Sequence, residues 1–253
     1  MGKLLWQPSR DRIAQANLTR FNEFVNKKND LKIESYWQLY DWSIAHPSEF
    51  WAAIWEFAEF KASRGYEVVV DDLEKFPGAR WFTGARLNFA ENLLRYRDNR
   101  LAFVFKGEAQ RSAKMTYAEL YDHVGRLAQS LRDAGVGSGD RVCAYMPNLI
   151  QTAAAMLATT SIGAVWASCG ADLGPQAVLD RFGQIEPKVL ITVDGYYYRG
   201  KVFNVMDNAA KVAAQIPSLR KLVVTSYVSE KPDVATVPNA VFTTEIRRPP
   251  PAA

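Results

Sequence analysis

The segment from Met115 to Thr192 constrains the fold most, because helix and strand patterns alternate in it without a break. Its first helix begins at a capping box formed by Thr116 and Glu119, and Gly135 ends that helix. The elements predicted after it are a strand at 141–145, an Ala-rich helix after Pro147, a strand at 164–167, a helix from Pro175 to Ile185 and a strand at 188–192. This alternation is typical of α/β proteins.

The alternation continues with a helix near 202–215 and a strand at 222–225, and it ends in a polar stretch at 229–238. Because crossovers of this length are right-handed and join parallel strands, we expect a parallel sheet with helices on both faces. The predicted fold class is therefore α/β, with a partial doubly wound α/β/α domain. Ligands of such sheets lie beyond the carboxyl ends of the strands.

The first sixty residues are rich in aromatic side chains. Two sets of apolar residues have helical spacing, namely Phe21, Phe24 and Val25, and Phe50, Ile54 and Phe57. We predict two or three amphipathic helices here, the second of which can start at Ser48-Glu49, after Pro47. An aromatic stripe can line a ligand pocket, but helical spacing favours a core or docking surface.

Composition excludes several classes of protein. With 253 residues, 48% hydrophobic and 23% charged, the chain is predicted to be globular. No apolar run reaches the roughly 20 residues of a membrane span, and no signal-peptide core is present, so a cytoplasmic location and no membrane partner are expected. The net charge is +4, but the basic residues are interspersed with acidic ones, and this pattern does not favour nucleic-acid binding. Cys143 and Cys169 are expected to be reduced and packed.

No catalytic residue is predicted from the motifs. Gly135-Val-Gly-Ser-Gly139 follows a helix and precedes a strand, which favours a turn over a phosphate loop. His46 and His123 lack partners at metal-ligand spacing and are expected at the surface or at helix caps. Without a base, Ser168 and Cys169 are poor candidates for a nucleophile.

One local candidate site remains, the basic segment Tyr196-Tyr-Tyr-Arg-Gly-Lys201. It follows the strand that ends at Thr192, on the side where parallel sheets bind ligands. Arginine offers a planar fork of donors and lysine a point charge, a pair that suits a phosphate monoester. A solvated loop is the alternative interpretation.

Several blocks of sequence carry a resemblance to a known family. They are Leu5-Trp-Gln-Pro-Ser9, Gly84-Ala-Arg-Leu-Asn-Phe-Ala-Glu-Asn-Leu-Leu94, Ile162-Gly-Ala-Val-Trp166 and Asp180-Arg-Phe-Gly-Gln-Ile-Glu-Pro-Lys-Val-Leu190. Together they resemble the AMP-forming acyl-CoA synthetases of the adenylate-forming superfamily. The first and last blocks favour the acetoacetyl-CoA branch of that family. The resemblance extends from Leu5 to about Glu245.

The resemblance implies a two-step ligation. A carboxylate, acetoacetate or a similar short acyl acid, reacts with ATP and magnesium to give an acyl-adenylate, and CoA then displaces AMP. The family's Ser/Thr/Gly-rich phosphate loop would follow Glu245, where this sequence has Arg247-Arg-Pro-Pro-Pro-Ala-Ala253. We therefore expect this chain to be an N-terminal portion of such an enzyme, without adenylation activity of its own. The expected partner is the missing C-terminal half of the enzyme.

In the same family a basic loop contacts the 3′-phosphate of CoA, and the resemblance assigns this role to Tyr198, Arg199, Gly200 and Lys201. The family's two-arginine pattern is altered here, because Tyr198 and Lys201 stand where arginines do. The implied modules are a helical N-terminal module over residues 1–95, the first part of the AMP-binding domain over 96–246 and a frayed tail over 247–253. The alternatives are a non-catalytic module that binds CoA or a nucleotide, and a truncated fragment without function.

Overall fold

The computed structural model describes residue 3 and residues 5–109, 111–234 and 240–242. Backbone contacts divide the chain into two compact units, Met1–Leu87 and Asn88–Ala253. This division precedes the module boundary at residue 95 that the sequence predicts, and that boundary stays a prediction. The predicted tail over 247–253 lies outside the described residues.

The first unit is mainly helical. It contains α1 (Arg10–Ala14), α2 (Asn17–Asn29), α3 (Tyr36–Ala45), α4 (Pro47–Phe57), β1 (Val68–Val70) and β2 (Trp81–Thr83). The amphipathic helices are confirmed, since Phe21 and Val25 on α2 are buried and α4 begins at Pro47, one residue before the expected start. β2, which pairs antiparallel with β1, was not predicted.

Aromatic side chains form the core of the first unit. The Phe21 ring meets the rings of Phe50 and Phe57 edge to face, with centroids 5.8 and 5.2 Å apart. Edge-to-face pairs at this separation add to the stabilisation from burial. The stripe with helical spacing therefore packs into a core, as the sequence predicts.

The second unit alternates helices and strands. It contains α5 (Phe89–Leu93), β3 (Leu101–Lys106), β4 (Ser112–Thr116), α6 (Tyr117–Asp133), β5 (Arg141–Tyr145), α7 (Ile150–Ser161), β6 (Val165–Cys169), α8 (Pro175–Phe182), β7 (Val189–Val193), β8 (Gly195–Tyr198), β9 (Lys201–Asn204), α9 (Met206–Ala214), β10 (Lys221–Thr225) and β11 (Ala240–Phe242).

A five-stranded sheet in the order β11-β10-β7-β5-β6 is the centre of this unit. All four strand pairs are parallel, which confirms the predicted α/β class. Every residue of β7 is buried, as expected for a strand covered on both faces. Because β6 and β7 flank β5 on opposite sides, right-handed crossovers place α7 and α8 on opposite faces of the sheet.

The capping box predicted for α6 is present. The Thr116 hydroxyl accepts from the Glu119 amide at 3.2 Å, and the Glu119 carboxylate accepts from the Thr116 amide at 2.7 Å. Leu120, Val124 and Leu131 are buried on the inner face of the helix. Gly135 adopts φ 77° just past the helix end, which confirms the predicted turn.

Two sequence predictions in this unit were wrong. The helix expected from Val202 begins at Met206, because 201–204 pair with 195–198 in an antiparallel hairpin. The pattern was expected to end at Thr225, yet β11 adds a further parallel strand beside β10. Within the described part of the chain, no helix has the length and apolar character needed to cross a membrane.

Candidate functional site

A cavity of about 810 Å³ opens at the carboxyl ends of β5 and β6, beside the β8–β9 hairpin. Its polar lining includes Asn148, Ser168 and Asp172, and its aromatic lining consists of Tyr196, Tyr198 and Phe203. This is the edge at which parallel sheets bind ligands. The hairpin therefore brings the predicted basic segment to the expected side of the sheet.

The aromatic wall of the cavity is built by cross-strand pairing. Tyr196 and Phe203 are directly opposite each other in the hairpin, and their rings stack with centroids 5.3 Å apart and an interplanar angle of 15°. Burial, together with the nearby Asp172 carboxylate, raises the pKa of Tyr196. Its hydroxyl is therefore neutral at physiological pH.

Buried hydrogen bonds fix the loop that follows β6. The Tyr145 side chain is fully buried and its hydroxyl donates to the Leu173 carbonyl. On the neighbouring strand, the Thr192 hydroxyl donates to the Tyr145 carbonyl at 2.9 Å. These bonds tie the loop that carries Asp172 to the central strands.

Both thiols are free, as the sequence predicts. Burial raises the pKa of Cys143 to about 12 and that of Cys169, which lines the cavity, to about 11. At neutral pH both are thiols, and the thiolate is the reactive form. Cys169 therefore has no electrostatic activation as a nucleophile.

The predicted site residues lie on the turn of the β8–β9 hairpin. Tyr198 and Lys201 pair across it, and Arg199 and Gly200 link them with φ values of 51° and 74°. Two-residue turns with positive φ at both positions match the twist of a hairpin. The segment is therefore a regular hairpin turn, and both its binding role and the alternative of a solvated loop stay predictions.

The cationic side chains of this turn are available to an anion. Among the described residues, neither Arg199 nor Lys201 forms an ion pair. The Arg199 guanidinium lies 5.3 Å from the centroid of the Tyr198 ring, and all three side chains are exposed. The turn thus presents two cations next to the aromatic wall.

Sequence reasoning missed two acidic residues that support the hairpin. The Glu108 carboxylate, in the connection between β3 and β4, accepts from the Arg199 amide at 3.1 Å and the Gly200 amide at 2.8 Å. Asp194 directly precedes β8, and its carboxylate accepts from the amides of Tyr227, Val228 and Ser229. Both contacts span long stretches of sequence, so no local motif signals them.

The histidines take no part in this site. His46 is exposed at the junction of α3 and α4, as expected. His123 is only 3% exposed, so the expected surface position was wrong. Among the described residues, no group of three or more His, Cys, Asp or Glu side chains is arranged to hold a metal ion.

Two family models match the chain. A model described as AMP-binding enzyme matches residues 89–251, and one described as Acetyl-coenzyme A synthetase N-terminus matches residues 36–93. The first covers more than half of the chain and includes the parallel sheet and the hairpin.

Relatives named acetoacetyl-CoA synthetase match almost the whole chain. One from Xenopus tropicalis is 39% identical over 96% of this chain and 37% of its own length. One from Rhizobium meliloti (strain 1021) is 42% identical over 84% of this chain and 32% of its own length. The solved structure of acetoacetyl-CoA synthetase from Streptomyces lividans superposes with a TM-score of 0.86 at 40% identity, covering 95% of this chain and 37% of that chain.

These matches confirm the resemblance to acetoacetyl-CoA synthetases and the fold of a partial adenylate-forming domain. The chain spans little more than a third of the length of these relatives. The family model over 89–251 covers the parallel sheet and the hairpin. The chain belongs to the AMP-binding enzyme family.

Proposed function

We propose that the chain is part of an acid–thiol ligase that joins acetoacetate to CoA with ATP, and that its β8–β9 turn binds the 3′-phosphate of CoA. The observation that carries this assignment is the two cations Arg199 and Lys201 beside the aromatic-walled cavity, neither of which forms an ion pair within the described part of the chain. The names of the relatives support acetoacetyl-CoA as the product.

The residues present fit a nucleotide with a terminal phosphate. An arginine fork and a lysine ammonium suit a phosphate monoester, and both are held at the end of a rigid hairpin. The neutral rings of Tyr196, Tyr198 and Phe203 offer apolar surface for a flat base. In this role the turn binds and orients CoA, and no chemical step is assigned to it.

ATP activation is not assigned to these residues. Phosphoryl transfer depends on charge neutralisation by metal ions and on loops that cradle phosphates. In the relatives, the matched region is 37% or less of the protein. We therefore propose that the adenylation chemistry resides in the part of those proteins that this chain does not match.

Calorimetry with CoA and dephospho-CoA tests the phosphate contact. The chain should bind CoA more tightly, because dephospho-CoA lacks only the 3′-phosphate. In the double variant Arg199→Ala/Lys201→Ala, the ratio of the dissociation constants of dephospho-CoA and CoA should fall about tenfold or more. The reason is that hydrogen bonds to charged groups contribute about 1.5–3 kcal/mol each.

The matched control is Arg132→Ala/Lys211→Ala, which removes two exposed cations of the same unit. It should leave the preference for CoA unchanged. Equal affinities of the unaltered chain for the two ligands, or binding of neither, would remove the proposed role.

A further inference from the structure

We infer that Glu108 is a positioning residue that holds the β8–β9 turn in its phosphate-binding conformation. This inference rests on the proposed function, because it concerns the geometry in which Arg199 and Lys201 are presented. Glu108 lies 91 and 92 residues from the two amides that it binds. It touches the turn through the backbone and does not contact the ligand.

Both carboxylate oxygens of Glu108 are used. Oε1 accepts from the Arg199 amide at 3.1 Å and Oε2 from the Gly200 amide at 2.8 Å. Successive amides in a turn with positive φ form a concavity that attracts anions. Here the protein's own carboxylate fills that concavity, so a bound phosphate meets the side chains of the turn instead of its backbone.

The same connection supports the hairpin at other points. The Arg111 guanidinium donates to the Tyr197 hydroxyl at 3.3 Å and to the Val228 carbonyl at 3.1 Å. Glu108 and Arg111 thus join the β3–β4 connection to the turn, to a strand of the hairpin and to the segment after β10. The turn is held from outside the hairpin as well as by its own strand pairing.

Glu108 contacts the turn through backbone amides. It forms no ion pair with any side chain in the described part of the sequence. A left-handed conformation is unfavourable for an arginine, so the turn needs support from its surroundings. Removing the carboxylate should let Arg199 relax and move its guanidinium away from the phosphate position.

The test compares Glu108→Ala with Glu108→Gln in the full chain. For each protein, calorimetry gives the ratio of the dissociation constants of dephospho-CoA and CoA. Glu108→Ala should lower this ratio about fivefold, less than the double variant does, because Arg199 and Lys201 keep their charges and only the position of the guanidinium changes. Glu108→Gln keeps one of the two acceptor oxygens and places an amide donor against the other backbone amide, so the ratio should lie between those of Glu108→Ala and the unaltered chain.

Glu74→Ala is the matched control, since it removes an exposed glutamate of the other unit. Its ratio should equal that of the unaltered chain. A lowered ratio in Glu74→Ala, or an unchanged one in Glu108→Ala, would overturn the inference. So would a loss in Glu108→Gln as large as that in Glu108→Ala, because the one acceptor oxygen that remains should restore part of the ratio.

Amide hydrogen exchange measured by NMR separates this inference from the proposed function. Exchange at Arg199 and Gly200 should accelerate in Glu108→Ala and be partly restored in Glu108→Gln. If Arg199→Ala/Lys201→Ala leaves the CoA preference intact, the proposed function fails, whatever the exchange shows. If that double variant loses the preference but Glu108→Ala changes neither preference nor exchange, only the role of Glu108 fails.

Discussion

His123 is buried on α6, and its Nε2 has no hydrogen-bond partner among the described residues. Burial and the charge of Arg126 lower its pKa from 6.5 to about 4. Below pH 6.5 the unfolded chain therefore binds a proton that the folded chain does not. The free energy of unfolding therefore has its full value above pH 6.5, and it falls as the pH falls toward 4. The loss is on the order of 3 kcal/mol at most.

His123→Leu should remove this acid sensitivity. Urea unfolding between pH 7.5 and 4.5 gives the free energy of unfolding, which should fall less steeply in the variant than in the unaltered chain. His46→Leu is the control, because His46 is the other histidine of the chain and is exposed. Parallel pH profiles for the unaltered chain and His123→Leu would show that His123 is not the titrating group.

Asp194 is the best-bonded carboxylate of the second unit among the described residues. It is 8% exposed and accepts from the amides of Tyr227, Val228 and Ser229 at 2.6–3.0 Å, and from the Ser229 hydroxyl at 2.7 Å. Asp194→Asn places an amide donor against two of these donors. We expect the free energy of unfolding to fall by about 2–4 kcal/mol.

Urea unfolding at pH 7 measures this loss. Asp122→Asn, on the exposed face of α6, makes the same chemical change and should alter stability by less than about 0.5 kcal/mol. A loss in Asp194→Asn no larger than in Asp122→Asn would contradict the anchoring role.

Replacing glycine by alanine should change stability in opposite directions at two positions of the second unit. At Gly195, the start of β8, an added Cβ would lie 2.6 Å from the Phe203 carbonyl oxygen. At Gly125, within α6, an added Cβ meets no atom within 4 Å. Gly195→Ala should therefore destabilise the chain by about 1–3 kcal/mol. Gly125→Ala should stabilise it by about 0.5–1 kcal/mol, because glycine is a poor helix former.

Thermal and urea unfolding of the two variants check this contrast. The rings of Tyr196 and Phe203 should also lose their stacking in Gly195→Ala, which near-ultraviolet circular dichroism detects. If Gly195→Ala and Gly125→Ala both stabilise the chain, an added Cβ at Gly195 does not clash with the Phe203 carbonyl.

Elements with local signals were predictable from the sequence. The capping box at Thr116 fixes the start of α6, and the apolar strands β5 and β7 stand between clear turn signals. The β8–β9 hairpin was missed, because its Arg199-Gly200 turn lacks the Asn-Gly or Asp-Gly signal of such turns. Its apolar residues were therefore assigned to the following helix.

The candidate site was predictable only in part. Tyr198, Arg199 and Lys201 are consecutive or nearly so, and a basic segment after a buried strand can be found by inspection. Glu108 and Asp194 act on residues far away in the sequence, so their roles follow from the tertiary fold alone. The burial of His123 could have been predicted, because His123 lies three residues after Leu120 and next to Val124, on the apolar face of α6.

The molecule as a whole contains the ligand-binding edge of a parallel sheet. No catalytic group has been assigned at that edge. We predict that the purified chain releases no pyrophosphate when given ATP, magnesium and acetoacetate. The reason is that phosphoryl transfer needs positioned phosphate and metal ligands, which we assign to other parts of the relatives. A coupled pyrophosphate assay measures this directly.

The acetoacetyl-CoA synthetase of Streptomyces lividans is the positive control, because its solved structure matches this chain over 37% of its own length. Acetoacetate-dependent release of pyrophosphate by the purified chain would contradict the prediction. CoA binding without such release would agree equally with a non-catalytic CoA-binding module.

The left-handed backbone at Arg199 bears on how this sequence has been selected. An arginine at φ 51° lowers stability by about 1–2 kcal/mol relative to a glycine or, less so, an asparagine at the same place. Selection for stability alone would replace it, since a single-base change in any arginine codon gives glycine. Random mutagenesis with a thermal screen should therefore enrich Arg199→Gly, whereas a screen for CoA binding should deplete it. The residue would then mark a position where folding and binding favour different amino acids.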